Sequence, residues 1–164
     1  MSTSQPRKPK GIPAGGQFTS KGQPESSVAV LGAGERDLGH GLEPAHRHRN
    51  PDGSLGGWVA DTALVEETAF VGPDAMVADW AQVRDYAVVD GDAVVDGDAV
   101  VRDHARVAGN ARVSNHALVM DRAVVDGSAR IEDRAVVFGD AHVSAGNVGE
   151  NAVVRSVSDL KESA

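Results

Sequence analysis

The 164-residue chain contains no cysteine. Disulfides and thiolate metal sites are therefore excluded, and a reducing compartment suits such a chain. Aromatic residues are also scarce, at 4 %. No apolar run approaches the ~20 residues that a membrane-spanning helix needs. The opening Met-Ser-Thr-Ser-Gln-Pro-Arg-Lys has no apolar segment of the kind a secretory signal peptide requires. The expectation is a cytoplasmic protein with one domain and no membrane partner.

The net charge of −8 is unevenly spread. Residues 1–50 hold seven Lys/Arg against four Asp/Glu, whereas residues 51–164 hold nine against twenty. A body at −11 repels nucleic acid, so no nucleic-acid partner is expected. The same charge raises a different reading, an acidic rod that mimics DNA and blocks a DNA-binding enzyme. Residues 1–27 are rich in Ser, Gln, Pro, Lys and Gly without apolar periodicity. They are expected to be a disordered tail that serves as a tether. Residues 28–57 are expected to be a linker and N-terminal cap, with a short strand or helix near Val28–Gly34. The glycines there do not complete a dinucleotide-binding fingerprint. His46-Arg47-His48-Arg49 lacks a third metal ligand and reads as a solvated basic loop.

What the chain does have is a repeat. From Val59 a branched aliphatic residue recurs every six positions through Val65, Val71, Val77 and onward to Ile131, Val137 and Val143. Two residues before each stands a small one, Gly57 first and then Ala63, Ala69 and so on to Ala141. Fifteen units run without a slip before one unit falls a residue short at Ala145-Gly146-Asn147. Such regularity is the signature of a solenoid. Residues two apart in a strand share a face, so each Ala and its following Val point inward. The remaining positions are mostly Asp, Gly, Asn or Ser, which make corners. Three hexads close a triangular coil of 18 residues, and coils stack at ~4.8 Å. The prediction is an all-β chain, with about five coils over residues 58–155, a prism roughly 25 Å long by that spacing, and a tail at 156–164. A narrow interior accounts for the dominance of Val and Ala and the scarcity of aromatics.

The pattern resembles the hexapeptide-repeat superfamily, in the manner of trimeric UDP-N-acetylglucosamine acyltransferases. That resemblance implies a single-stranded left-handed parallel β-helix and a homotrimer. The entry phrase Leu55-Gly56-Gly57-Trp58-Val59 is similar to the start of other hexapeptide proteins. A second phrase, Lys10-Gly11-Ile12-Pro13-Ala14-Gly15-Gly16-Gln17-Phe18, resembles one found near the ends of actinobacterial, phage and mobile-element proteins. It implies such a source and a docking or processing signal.

Taking the outward residue of every third hexad sorts them into three columns. One is Leu64, Gln82, Val100, Leu118, Val136 and Val153, flanked by Met120 and Phe138. The others are Phe70, Val88, Arg106, Val124, His142 and Trp58, Met76, Val94, Arg112, Arg130. The first is an apolar strip on a charged protein, the signature of an interface. Its cover is expected to be another subunit or protein partner, the alternative being residues 28–50 folded back upon it. Stacked acids mark the corners: Glu67, Asp85, Asp103 and Asp121 on one edge, Asp61 and Asp79 on another. They read as turn residues, with Ca²⁺ binding the alternative.

The resemblance also raises catalysis, because hexapeptide acyltransferases use a His general base at a subunit boundary with an acyl-CoA donor. His104 is the candidate, at a corner bordering the apolar column. His116 falls on a different corner, and the three convergent His of the family's carbonic anhydrases have no counterpart. Unbroken hexads leave no inserted loop to wall a pocket. The leading expectation is a non-catalytic scaffold or binding protein without metal or cofactor. The acyltransferase and the DNA mimic stand as rivals.

Overall fold

The computed structural model describes residues 34–39 and 41–156. The expected tail at 1–27, its Lys10–Phe18 phrase, and 157–164 lie outside the described residues. The protein is all-β, a parallel β-solenoid of about five coils with no helix among the described residues. Two-residue strands recur every six residues from Leu64–Val65 to His142–Val143, followed by Asn147–Val148 and Val153–Val154. They stack into three sheets, named here by the first residue of each outward column: the Leu64 face, the Phe70 face and the Trp58 face. The steps pair residues 18 apart, as in Val100 with Leu118 and Arg106 with Val124, except the last on two faces, Arg130 with Asn147 and Val136 with Val153, which are 17 apart.

The inward series is the core. Val71 to Val143 and Ala69 to Ala141 are essentially without solvent exposure at every hexad. The outward residue's N–H donates to the inward Ala carbonyl one coil later, as from Leu64 to Ala81 at 2.9 Å. Gly57 takes the Ala position in the first unit because a Cβ there would collide with the carbonyls of Gly72 and Ala75. The short unit at 145–147 leaves the stacking intact, with Arg130 still opposite Asn147. The missing residue is taken out of the corner, where Gly146 turns at φ +88°.

From Asp79 to Gly139 the corners are two-residue turns whose first residue lies at positive φ, including Asp85 (54°), Asp103 (62°) and Asp121 (60°). Asp and Asn tolerate that region better than other non-glycine residues. Each of these carboxylates accepts the N–H of the residue stacked one coil below: Asp85 from Asp103 at 3.2 Å, Asp103 from Asp121 at 3.3 Å, Asp121 from Gly139 at 3.0 Å. Asp79 does the same for Gly97 at 3.1 Å. The acid columns thus make the corners. On the first of these edges it is Glu66, not the expected Glu67, that receives the Asp85 N–H, at 2.7 Å.

The N-terminal end is closed by a hairpin. Strands β1 (Gly34–Asp37) and β2 (Leu42–Arg49) pair antiparallel, and β2 pairs antiparallel with β3 (Leu55–Ala60), the first strand of the Trp58 face. The expected solvated loop at 46–49 is therefore strand. Alternate residues of this segment reach the first coil. His46 Nδ1 lies 2.8 Å from Asp61, His48 Nε2 lies 3.3 Å from the Ala69 carbonyl, and Asn50 bonds both the N–H and C=O of Val71. The Asn50 amide supplies to Val71 what a neighbouring strand would supply. A solvated-loop reading fails because His48 and Asn50 are buried here, at 7 % and 3 % exposure.

Candidate functional site

The strip predicted from column arithmetic is one physical surface. Leu64, Gln82, Val100, Leu118, Val136 and Val153 are consecutive partners in a six-stranded parallel sheet. Met120 and Phe138 follow the inward Val119 and Val137 and so return to the same side of the sheet. A second column on this face therefore runs Glu66, Arg84, Arg102, Met120, Phe138. The face is polarised along its length, half charged in the first three coils and apolar in both columns around Leu118 and Val136. The guanidinium of Arg102 closes the charged half, 2.9 Å from the Met120 sulfur and 3.2 Å from Asp103.

The other two faces handle their outward side chains differently. On the Phe70 face, Arg106 reaches back to Asp90 at 3.2 Å and His142 Nε2 lies 3.0 Å from both oxygens of Asp126. On the Trp58 face, Arg112 pairs with the buried Asp96, and Asn147 donates to Glu132. The top of the Trp58 face is covered by the hairpin. Arg36 and Arg47 lie over the Trp58 ring at 4.7 and 5.6 Å, and Leu38 packs with Ala60, Ala78 and Met76. Residues 34–50 are thus spent on the cap and the Trp58 face, so the alternative in which this segment covers the Leu64 strip is not met by its described part.

His104 stands exposed at the corner between the Leu64 and Phe70 faces, where its ring stacks on Tyr86 at 5.3 Å. Around it lies an open groove lined by Asp103, Asp121, Arg122, Gly139 and Asp140. His116 occupies the other edge of the Leu64 face, 3.4 Å from Asp98. The structure therefore does not bring the three solenoid histidines together. Among the described residues no group of three or more His, Cys, Asp or Glu could hold a metal ion. His48 in the cap is buried. Burial pushes its imidazole below the ordinary value, opposed by the Ala69 carbonyl and aided by the nearby His46.

Two residues that column arithmetic passed over belong to the strip. Trp80 and Tyr86 are 64 % and 62 % exposed, large apolar rings left in water. They are the second residues of the corners that open and close the strand Gln82–Val83, so they flank the Leu64 face on its two edges. The signal is their six-residue spacing at the second corner position, where the other solenoid corners carry no Trp, Tyr or Phe. Comparison with protein-family models, curated proteins and solved structures finds no match.

Proposed function

We propose that this protein is a non-catalytic scaffold or binding protein that assembles through the Leu64 face, with the homotrimer implied by the hexapeptide resemblance as its working state. The observation that carries the reading is the contrast between that face and the other two. On those faces Arg106, Arg112 and His142 have carboxylates one coil back, and outward apolar groups at the top of the Trp58 face lie under the hairpin. The strip around Leu118, Met120, Val136 and Phe138 has neither arrangement. A contiguous apolar surface on a charged chain marks a contact site. The regular hexads add a second argument, because flat sheets with two-residue corners offer walls for docking rather than a deep pocket. The N-terminal segment would act as a tether, and the phage or mobile-element setting follows from the Lys10–Phe18 phrase alone.

Two rival readings gain less from the side-chain geometry. His104 as a general base needs a substrate held beside it, and its ring face is engaged by Tyr86. A DNA mimic needs carboxylates presented outward, and the corner acids Asp85, Asp103 and Asp121 direct oxygens to backbone N–H groups instead. The test of the scaffold reading is the mass in solution of the full chain and of Leu118→Asp. An assembly that the substitution dissociates supports it; a chain monomeric at every concentration overturns it. Turnover of acetyl-CoA lost in His104→Ala would replace it with the enzyme.

A further inference from the structure

The two edges that border the Leu64 face carry matched chemistry when read coil by coil. On the edge shared with the Trp58 face, the exposed corner residues descend as Trp80, Asp98, His116, Arg134. On the edge shared with the Phe70 face they descend as Tyr86, His104, Arg122, Asp140. Members of each level are six residues apart, a third of a coil, so they differ in height by only about 1.6 Å for coils ~4.8 Å apart. Aromatic stands level with aromatic, Asp98 with His104, and Arg134 with Asp140. The remaining level sets His116 beside Arg122, and each of these bases has a carboxylate on its own edge, Asp98 at 3.4 Å and Asp140 at 4.0 Å.

Within one chain these partners cannot meet, because the width of the Leu64 face separates them. They meet if a neighbouring copy is related by an axis parallel to the solenoid. Such a rotation keeps every residue at its own height and brings one edge of the face to the opposite edge of the neighbour. We propose that a second copy of this chain docks on the Leu64 face in parallel and at equal height, with Trp80 against the partner's Tyr86, Asp98 against the partner's His104 and Arg134 against the partner's Asp140. The proposal rests on the reading that this face is an interface, and it adds the occupant's orientation and register.

The polarity of the face points the same way. A parallel copy lays the Leu118 and Val136 column against the partner's Met120 and Phe138, apolar on apolar. It keeps Glu66, Arg84 and Arg102 near the partner's charged half. An antiparallel copy would press Arg84 and Arg102 onto the apolar half, where loss of water is costly for a guanidinium. It would also give the two edges unequal fits. The edge of Trp80 could pair with its own reverse, Asp98 to His116, while the other edge would set His104 against Arg122.

The chain has no cysteine, so disulfide trapping reads the register directly. The full-length double variant Trp80→Cys/Tyr86→Cys is expected to form a covalent oligomer on mild oxidation. Its two thiols on one chain lie across the face, beyond the ~7 Å limit between Cα atoms. The variant Trp80→Cys/Arg134→Cys, which an antiparallel copy would link, is expected to stay uncrosslinked, as is the height-mismatched Trp80→Cys/Asp140→Cys. Should cysteine at position 80 weaken assembly, charge exchange gives a second readout. Arg134→Asp is expected to weaken association several-fold, and adding Asp140→Arg to restore it. An assembly that Leu118→Asp dissociates, but in which the Arg134→Cys or Asp140→Cys pair crosslinks instead, overturns the parallel register and leaves the interface standing. A chain that is monomeric throughout overturns both.

Discussion

The Leu64 face and the Phe70 face are built from the same hexad, share the same inward Val and Ala, and differ only in what they turn outward. On the Phe70 face the late coils carry Arg106 and His142, each held by an aspartate sixteen residues earlier. On the Leu64 face the coil of Val124 carries Leu118 and Met120, and the coil of His142 carries Val136 and Phe138. The inward positions hold the fold in both cases, so the outward ones are free to differ. That difference separates what the solenoid needs in order to stand from what it keeps for a partner.

The largest effect expected from breaking this contrast is on assembly. Leu118→Asp should convert the oligomer to monomer in light scattering, while Val124→Asp, its counterpart on the Phe70 face, should leave the mass unchanged. Next in size is the cap. Asn50→Ala strips the Val71 N–H and C=O of their partner, and buried groups left unpaired cost about 1–3 kcal/mol each. Chemical denaturation should show a loss of about 2–4 kcal/mol, and an apolar dye should gain a site as the Trp58 face loses its cover.

The polar ladders come third. Asp96→Ala should cost about 1–3 kcal/mol, because its carboxylate is buried beneath Arg112. Arg106→Ala on the Phe70 face should cost under about 1 kcal/mol, as an exposed pair. Equal losses at the two sites would deny that burial sets the difference. The smallest effect is a pH dependence. Burial holds His48 below its ordinary value of 6.5. Below that pH the unfolded chain takes up a proton that the folded cap resists, so stability falls as pH drops through the folded value. The same descent should flatten in His48→Gln, measured by thermal denaturation between pH 7 and pH 5, a window set around the ordinary histidine pKa.

The coils were legible in the sequence because a strict six-residue period leaves one solution for which side chains face in. Grouping by eighteen places Leu64 to Val136 on one face, and the short unit accounts for Val153. The cap was not legible, because β2 is a single copy with no period to compare. His46, His48 and Asn50 alternate as a strand should, yet their partners at Asp61, Ala69 and Val71 lie fifteen to twenty-one residues away. Trp80 and Tyr86 escaped for a related reason. Corner residues read as turn formers, and only stacking the coils shows that these two sit level on opposite edges. The acid columns were read for the right role at Asp85, Asp103 and Asp121. The Glu66 carboxylate was missed because it reaches its N–H from the strand rather than from the turn.

The step of eighteen residues makes length an adjustable quantity in this chain. Excising one whole coil, for example 91–108, would rejoin like corner to like corner and shorten each face by a single rung, leaving the hairpin and the last strands with the neighbours they already fit. Removing six residues instead would rotate everything downstream by one face and scatter the apolar strip over two walls. The corner at Gly146 shows that a single missing residue is absorbed locally. A lineage of such proteins can therefore grow or shrink by whole turns, and the extent of its contact surface can be tuned by counting coils.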